Sequence, residues 1–168
     1  MIENKVFENI DFKEINLEEE YYNCKFVSCD FSNIVINRTD FDSCTFELCN
    51  FTMTKFTQLL TDIHFMECKL IGSDFTELSK CSGNLSFHNS LMNYSVFTAQ
   101  RLRNMKFCNC KMNEVYFNES DIVGTVFDNC DLENTNFAGA NLEKVDFSTS
   151  YNFCIIPESC KLKKTIFS

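Results

Sequence analysis

The chain has 168 residues, 45% of them hydrophobic, and a formal net charge of −9. That length supports one domain spanning residues 1–168, and the acidic balance argues against direct binding to DNA or RNA, which wants a basic footprint. Mean hydropathy is −0.16, no apolar run approaches the ~18–20 residues of a membrane span, and Met1–Lys5 lacks a basic region followed by an apolar one. A cytoplasmic protein with no secretory signal is expected.

Phe is used 19 times, while Trp is absent and only four Gly and one Pro occur. Turns must then fall to Asn, Asp and Ser, whose short polar side chains bond to nearby backbone and tolerate unusual φ/ψ. Along the chain the phenylalanines keep time. Phe7, Phe12 and Leu17 are five residues apart, and one residue is lost across Glu18–Tyr22. The beat resumes at Phe26 and holds through Phe31, Ile36, Phe41, Phe46, Phe51 and Phe56. A second residue is lost within Thr57–His64, Phe65, Leu70 and Phe75 follow, and Thr76–Ser86 adds two residues to the register. From Phe87 to Phe147 every fifth residue is large and apolar, with Phe87, Phe97, Phe107, Phe117, Phe127, Phe137 and Phe147 alternating with Met, Leu and Ile. Ser148–Cys160 breaks the pattern, and Leu162 and Phe167 return to it. Irregular segments are therefore expected at 18–25, 57–64, 76–86 and 148–160.

A five-residue period fits neither a helix, where about 100° per residue carries successive hits to different faces, nor a flat strand, where odd spacing alternates them. One core receives all of them only if the backbone itself turns every five residues, which is the signature of a solenoid. Two residues before each centre the sequence is mostly small or β-branched, as at Ile34, Cys49, Ser95, Thr125 and Ala140. The other three positions are dominated by polar residues, as solvent-facing sites should be. The unit reads small–polar–large–polar–polar.

Cys130-Asp131-Leu132-Glu133-Asn134, Ala140-Asn141-Leu142-Glu143-Lys144 and Cys29-Asp30-Phe31-Ser32-Asn33 carry this unit in its clearest form. They resemble the A(D/N)LXX motif of the pentapeptide-repeat family, and the resemblance covers about residues 5–168. It implies an all-β fold, a right-handed quadrilateral β-helix of about eight coils in which residues 20 apart stack at about 4.8 Å. Phe87, Phe107, Phe127, Phe147 and Phe167 then form one ladder, and Phe97, Phe117 and Phe137 another.

The sequence holds eleven cysteines. Cys24, Cys29, Cys44, Cys49, Cys68, Cys110, Cys130 and Cys160 occupy the small inward position, where a free thiol serves as a small buried apolar group. Their spacing does not suit zinc pairs, and neither a disulfide framework nor any metal or cofactor is expected. His64 precedes a centre and His88 follows one, so both should face outward, with no triad partner in reach. No glycine-rich phosphate loop is present. No catalytic residue is assigned, and the chain is read as a non-enzyme.

Function must then lie on the surface. The first reading is a non-catalytic scaffold for protein–protein interaction, its partner unknown. The alternative comes from the resemblance: well-known members of the family bind DNA gyrase or topoisomerase IV as acidic rods, and some protect these enzymes from quinolones. A DNA mimic that engages a type II topoisomerase is the implied counterpart here. Against uniform mimicry, Arg101, Arg103, Lys106 and Lys111 form a basic band without an acid. Both ends of a solenoid leave core and backbone uncovered. Met1–Val6 is expected to cap one end, and Ser148–Cys160 folding across, or a homodimer contact, to cover the other.

Overall fold

Two residues after nearly every centre the backbone adopts a positive φ, and this single left-handed residue turns the chain from one face to the next. Asn9, Asn33, Asn104, Asn109 and Asn129 do so at φ 51–59°. Among the described residues, thirteen of the twenty-two non-glycine residues with positive φ are Asn, Asp or Ser, in line with the turn chemistry expected; the remainder include Leu48, Met53, Tyr94 and Lys144. Those nine carry a cost of order 1–3 kcal/mol each that the surrounding coil must offset. In this computed structural model residues 1–167 are described; Ser168 lies outside the described residues, and for Lys80, Cys81 and Ser82 only the backbone is described.

Among the described residues twelve strands result: β1 Ile2–Glu3, β2 Val6–Glu8, β3 Glu20–Tyr22, β4 Lys25–Val27, β5 Val35–Ile36 and β6 Asp40–Asp42, then β7 Thr45–Glu47, β8 Lys55–Phe56, β9 Leu59–Met66, β10 Lys80–His88, β11 Lys106–Cys108 and β12 Val126–Asp128. Every strand pair is parallel, and like positions meet: Phe7 with Phe26, Phe26 with Phe46, Phe65 with Phe87, and Phe87 with Phe107. The chain is a right-handed quadrilateral β-helix, all-β as expected. Its main sheet runs β1-β3-β6-β9-β10-β11-β12, about six turns by strand pairing rather than about eight. Beyond β12 the coils are joined by single bridges, Val126 to Asp146 and Asp146 to Ile166, in place of paired strands.

We label the four faces by their centres in chain order from Phe87: face A carries Phe87, face B Met92, face C Phe97 and face D Leu102. On face A, Phe7, Phe26, Phe46, Phe65, Phe87, Phe107, Phe127, Phe147 and Phe167 stack in one column, with ring centroids 4.8–5.9 Å apart. On face C the rings of Phe56, Phe75, Phe97, Phe117 and Phe137 stack at 4.6–5.5 Å. The two columns meet edge to face, as where Phe87 and Phe97 lie 6.3 Å apart at 80°. Both arrangements suit the aromatic quadrupole. Phe87, Phe97, Phe107, Phe117, Phe127 and Phe147 are fully buried, and Phe137 is 2% exposed.

Where the sequence loses register the structure gains strand. Tyr21 takes the centre on face D, buried and stacked on Phe41 at 5.4 Å, and its hydroxyl accepts a hydrogen bond from the Glu18 N–H. Leu60 takes the next, opposite Phe41. Segments 57–64 and 76–86 lie largely within β9 and β10, the two longest strands among the described residues. The extra length of β10 is absorbed as a bulge between Ser82 and Leu85. There Gly83, at φ 70°, packs against the Asp62 carboxylate, which accepts from the Asn84 N–H; a side chain at Gly83 would collide with it. Segment 148–160 departs from the coil, with a short 3₁₀ helix at Pro157–Ser159 and Phe153 packed on Phe147 and Phe167. It does not fold across the end of the solenoid, because Lys161 and Ile166 continue the coil beyond it by bridging to Asn141 and Asp146.

Truncating an interior rung should cost far more than truncating an outer one. Phe97→Ala removes a ring stacked on both sides and is expected to destabilise by about 3–5 kcal/mol. Phe167→Ala, at a site 45% exposed, should cost about 1 kcal/mol or less. Urea unfolding followed by circular dichroism checks both.

Candidate interaction surface

The inward position before each centre does more than fill space. At Cys29, Cys49, Cys68 and Cys110 the thiol donates to the carbonyl of the face A phenylalanine one coil earlier, respectively Phe7, Phe26, Phe46 and Phe87, at 3.4–3.5 Å. Ser150 does the same to Phe127 at 2.8 Å, and Thr54 donates to Phe31 at 2.6 Å. Cys, Ser and Thr share this slot because each is small and each carries a donor. Cys24 and Cys44 donate to the carbonyls of Tyr22 and Tyr21, Cys130 to Asp128 and Cys160 to Phe137. Of the eight inward cysteines, Cys24, Cys29, Cys44, Cys49, Cys68, Cys110 and Cys130 are buried, whereas Cys160 is half-buried beside the irregular segment.

Cys29, Cys44, Cys49 and Cys130 are held neutral. Burial pushes Cys44 up to about 11. At Cys49 a hydrogen bond from the Cys29 thiol favours the thiolate, but the Cys68 thiol and burial outweigh it and push the group up to about 12. Cys130 is raised by its hydrogen bond with Cys110 and by burial. Thiols of this kind are poor nucleophiles and poor metal ligands. Among the described residues no group of three or more His, Cys, Asp and Glu is placed to hold a metal ion. His64 and His88 are both half-buried on face A, and His64 Nδ1 lies 2.7 Å from the Ser86 hydroxyl.

With the interior filled by stacked rings, space for another molecule lies outside. Open grooves indent the surface among the described residues. One, of about 590 Å³, lies between Phe12–Glu19 and Ile34–Thr39, and one of about 310 Å³ lies between Asn134–Ala138 and the Cys154–Ser159 stretch. Both arise where the chain leaves the regular coil. A different feature has the composition of a contact surface. At the corner between faces B and C, Met53 and Tyr94 occupy turn positions and are 61% and 51% exposed. Leu91 stands beside them on face B, and Tyr116, paired with Val96, on face C. Met53 lies over Gly72, which brings it toward Tyr94 on the next coil: the Gly72 N–H bonds to the Asn93 carbonyl. Sequence reasoning passed over these residues. The signal was present, since each is a large apolar group in a slot the repeat reserves for polar ones.

Charge is distributed differently. In the later coils Asp128 and Asp146 flank face A centres, Asp131 and Glu133 a face B centre, and Asp121 and Glu143 face D centres. The basic band wraps around one coil: Arg101 and Arg103 on face D, Lys106 on face A and Lys111 on face B. Arg103 Nε donates to Asp121 at 2.8 Å, and Arg101 lies 3.7 Å from the same carboxylate. No helix is long and apolar enough to cross a membrane among the described residues.

Neutral thiols imply a pH response. Because burial raises Cys44 above its ordinary 9.0, folding favours its neutral form, so its stabilising contribution is complete below about pH 9 and is lost as the pH rises through about 11. The urea midpoint should hold level from about pH 7 to 8.5 and fall above about 9. The fall should be shallower in the Cys44→Ser/Cys49→Ser variant, which keeps both donors.

Comparison with known proteins places this geometry. A family model for the pentapeptide repeat region matches residues 59–137, and one for pentapeptide repeats in eight copies matches residues 23–58. No curated protein matches the sequence. Among solved structures, a trypsin-treated variant of QnrB1, described as a plasmid-mediated fluoroquinolone resistance protein, is similar over 99% of this chain and 83% of its own, with 20% identity and a TM-score of 0.53. HetL, a pentapeptide-repeat protein involved in heterocyst differentiation regulation in the cyanobacterium Nostoc, aligns over 98% of this chain and 84% of its own at 14% identity and a TM-score of 0.39. At 20% identity the likeness to QnrB1 is one of fold. The repeat, the stacked coils and the family matches over residues 23–137 together make this chain a member of the pentapeptide-repeat family.

Proposed function

We propose that the chain is a non-catalytic docking rod, a scaffold that presents a rigid surface to another protein. The observation that carries this reading is the exposed apolar corner formed by Met53, Leu91, Tyr94 and Tyr116. Exposed apolar clusters of this kind mark contact sites, and Tyr and Met are over-represented where protein partners bind. A rod braced by stacked rings presents the corner at little ordering cost, which favours affinity. Immobilised buried thiols and a filled interior are consistent with a surface function.

A second reading, an acidic rod that imitates DNA toward a type II topoisomerase, draws support from the net charge of −9. The basic band of Arg101, Arg103, Lys106 and Lys111 around one coil, and acids spread over three faces of the later coils, speak against it.

Two assays separate the readings. In-cell crosslinking with mass spectrometry should recover a protein joined near the Met53–Tyr116 corner by the wild-type chain, and lose it with the Met53→Ser/Tyr94→Ser/Tyr116→Ser variant. Retention by that variant would overturn the corner as the docking site. Inhibition of gyrase supercoiling, or protection of gyrase from ciprofloxacin, at micromolar protein would favour the mimic; no effect of either kind would eliminate it.

A further inference from the structure

Face C stops one coil before faces A and D. Counting by fives from Phe147, the next centres fall on Asn152, Pro157 and Leu162. Asn152 is polar and unsuited to a buried centre, and Pro157 opens the 3₁₀ turn at Pro157–Ser159 instead. The chain leaves the coil after Tyr151 and rejoins it at Lys161, so the face C rung at Asn136 and Phe137 has no rung beyond it among the described residues. What that leaves open follows from the coil before. There the Val115 carbonyl accepts from the Asn136 N–H, the Phe117 N–H donates to the Asn136 carbonyl, and the Glu119 N–H donates to the Ala138 carbonyl. The equivalent groups one coil on are the Thr135 carbonyl and the Phe137 and Gly139 N–H groups, and none of the three has a partner among the described residues. They fall on alternate residues, as along the open edge of a parallel strand. The groove of about 310 Å³ lies on this edge, with Ile156, 60% exposed, in its outer wall.

An open strand edge beside an apolar wall is the arrangement to which an extended peptide adds as a further strand. Charge selects which peptide. Glu133 immediately precedes the groove residue Asn134, Glu158 sits between Ile156 and Ser159, and Glu119 lies against Gly139. None of these three acids makes an ion pair among the described residues. The positions on either side of the face C centres Phe97, Phe117 and Phe137 are uncharged, and from Asn113 to Glu158 the sequence holds nine acids and one base, Lys144. Lys161, Lys163 and Lys164 come later, on face D and its far corner.

We propose that this edge is a docking site for an extended basic segment of another protein, with a large apolar residue set against Ile156 and Lys or Arg side chains toward Glu119, Glu133 and Glu158. The segment repeats what Asn136 and Ala138 do for the coil before. One of its residues donates to the Thr135 carbonyl and accepts from the Phe137 N–H, and the residue two further on accepts from the Gly139 N–H. The proposal does not depend on what binds the Met53–Tyr94 corner, since Tyr94 lies two coils away from Asn134.

A phage-displayed library of short random peptides, selected on the folded full chain, tests this. Enriched peptides should carry Lys or Arg around a large apolar residue. Synthetic copies should slow the reaction of N-ethylmaleimide with Cys154, which is exposed at the groove, and leave Cys108 on face A unaffected. Glu133→Lys/Glu158→Lys, shown to be folded by circular dichroism, should weaken their binding about tenfold or more. Methylating the peptide backbone one nitrogen at a time should cost about tenfold at the position that donates to the Thr135 carbonyl. No enrichment, a neutral or acidic consensus, or binding that leaves Cys154 reactive would overturn the proposal. Affinity indifferent to the charge reversal, or to methylation at every position, would do the same. So would a Cys154 already unreactive in the chain alone, which would place residues 152–160 or a second copy in the groove.

Discussion

Everything in this molecule depends on the stacking of one coil upon the next. A phenylalanine at a centre meets the next aromatic centre, round a corner on a different face, edge to face or tilted, as Phe46 meets Phe51 at 5.1 Å. It also gains from the ring one coil above and the ring one coil below. Phe107, between Phe87 at 4.9 Å and Phe127 at 5.0 Å, is the general case. Parallel backbone hydrogen bonds run in the same direction and hold the spacing that stacked rings prefer. Because both interactions are between coils, a residue belongs to a column before it belongs to a segment. Rigidity along the axis is the result.

The same constraint explains how much of the fold was legible. A period of five identifies a turning backbone from the sequence alone, and the resemblance to four-sided pentapeptide coils then assigns the phenylalanines from Phe87 onward to two columns. Tyr21 and Leu60 were less visible, because each sits four residues after the preceding centre and breaks the beat it serves. Column membership, not spacing, decides their place: Tyr21 stacks on Phe41, and Leu60 lies opposite Phe41. The register shifts read as irregular segments for that reason, yet β9 and β10 are the longest strands among the described residues. At the turns, Asn in the left-handed conformation was expected; Leu48, Met53 and Tyr94 in that conformation were not. A coil fixed from above and below can impose a φ that the residue itself disfavours.

The surface was harder to read because outward positions obey no packing rule. Their meaning comes from which residues become neighbours across coils about twenty residues apart in sequence. Asp42 and Arg103 share a face although 61 positions separate them, and Met53 approaches Tyr94 across the intervening coil at Gly72. A filled interior leaves two kinds of outer surface with distinct physics: an apolar corner at Met53 and Tyr94, and a face whose acids gather at one end and whose bases gather at the other. Rigid columns keep both in fixed relation. The cysteines belong to the architecture, donating hydrogen bonds inward from a slot that Ser and Thr also fill.

Amide hydrogen exchange on the full chain, read peptide by peptide by mass spectrometry, tests the primacy of stacking between coils most directly. Amides between Phe87 and Phe147, bonded to the coils on either side, should be the slowest to exchange, and those of Ser148–Cys160 much faster. Equal exchange in the two regions, or faster exchange within Phe87–Phe147, would contradict the account.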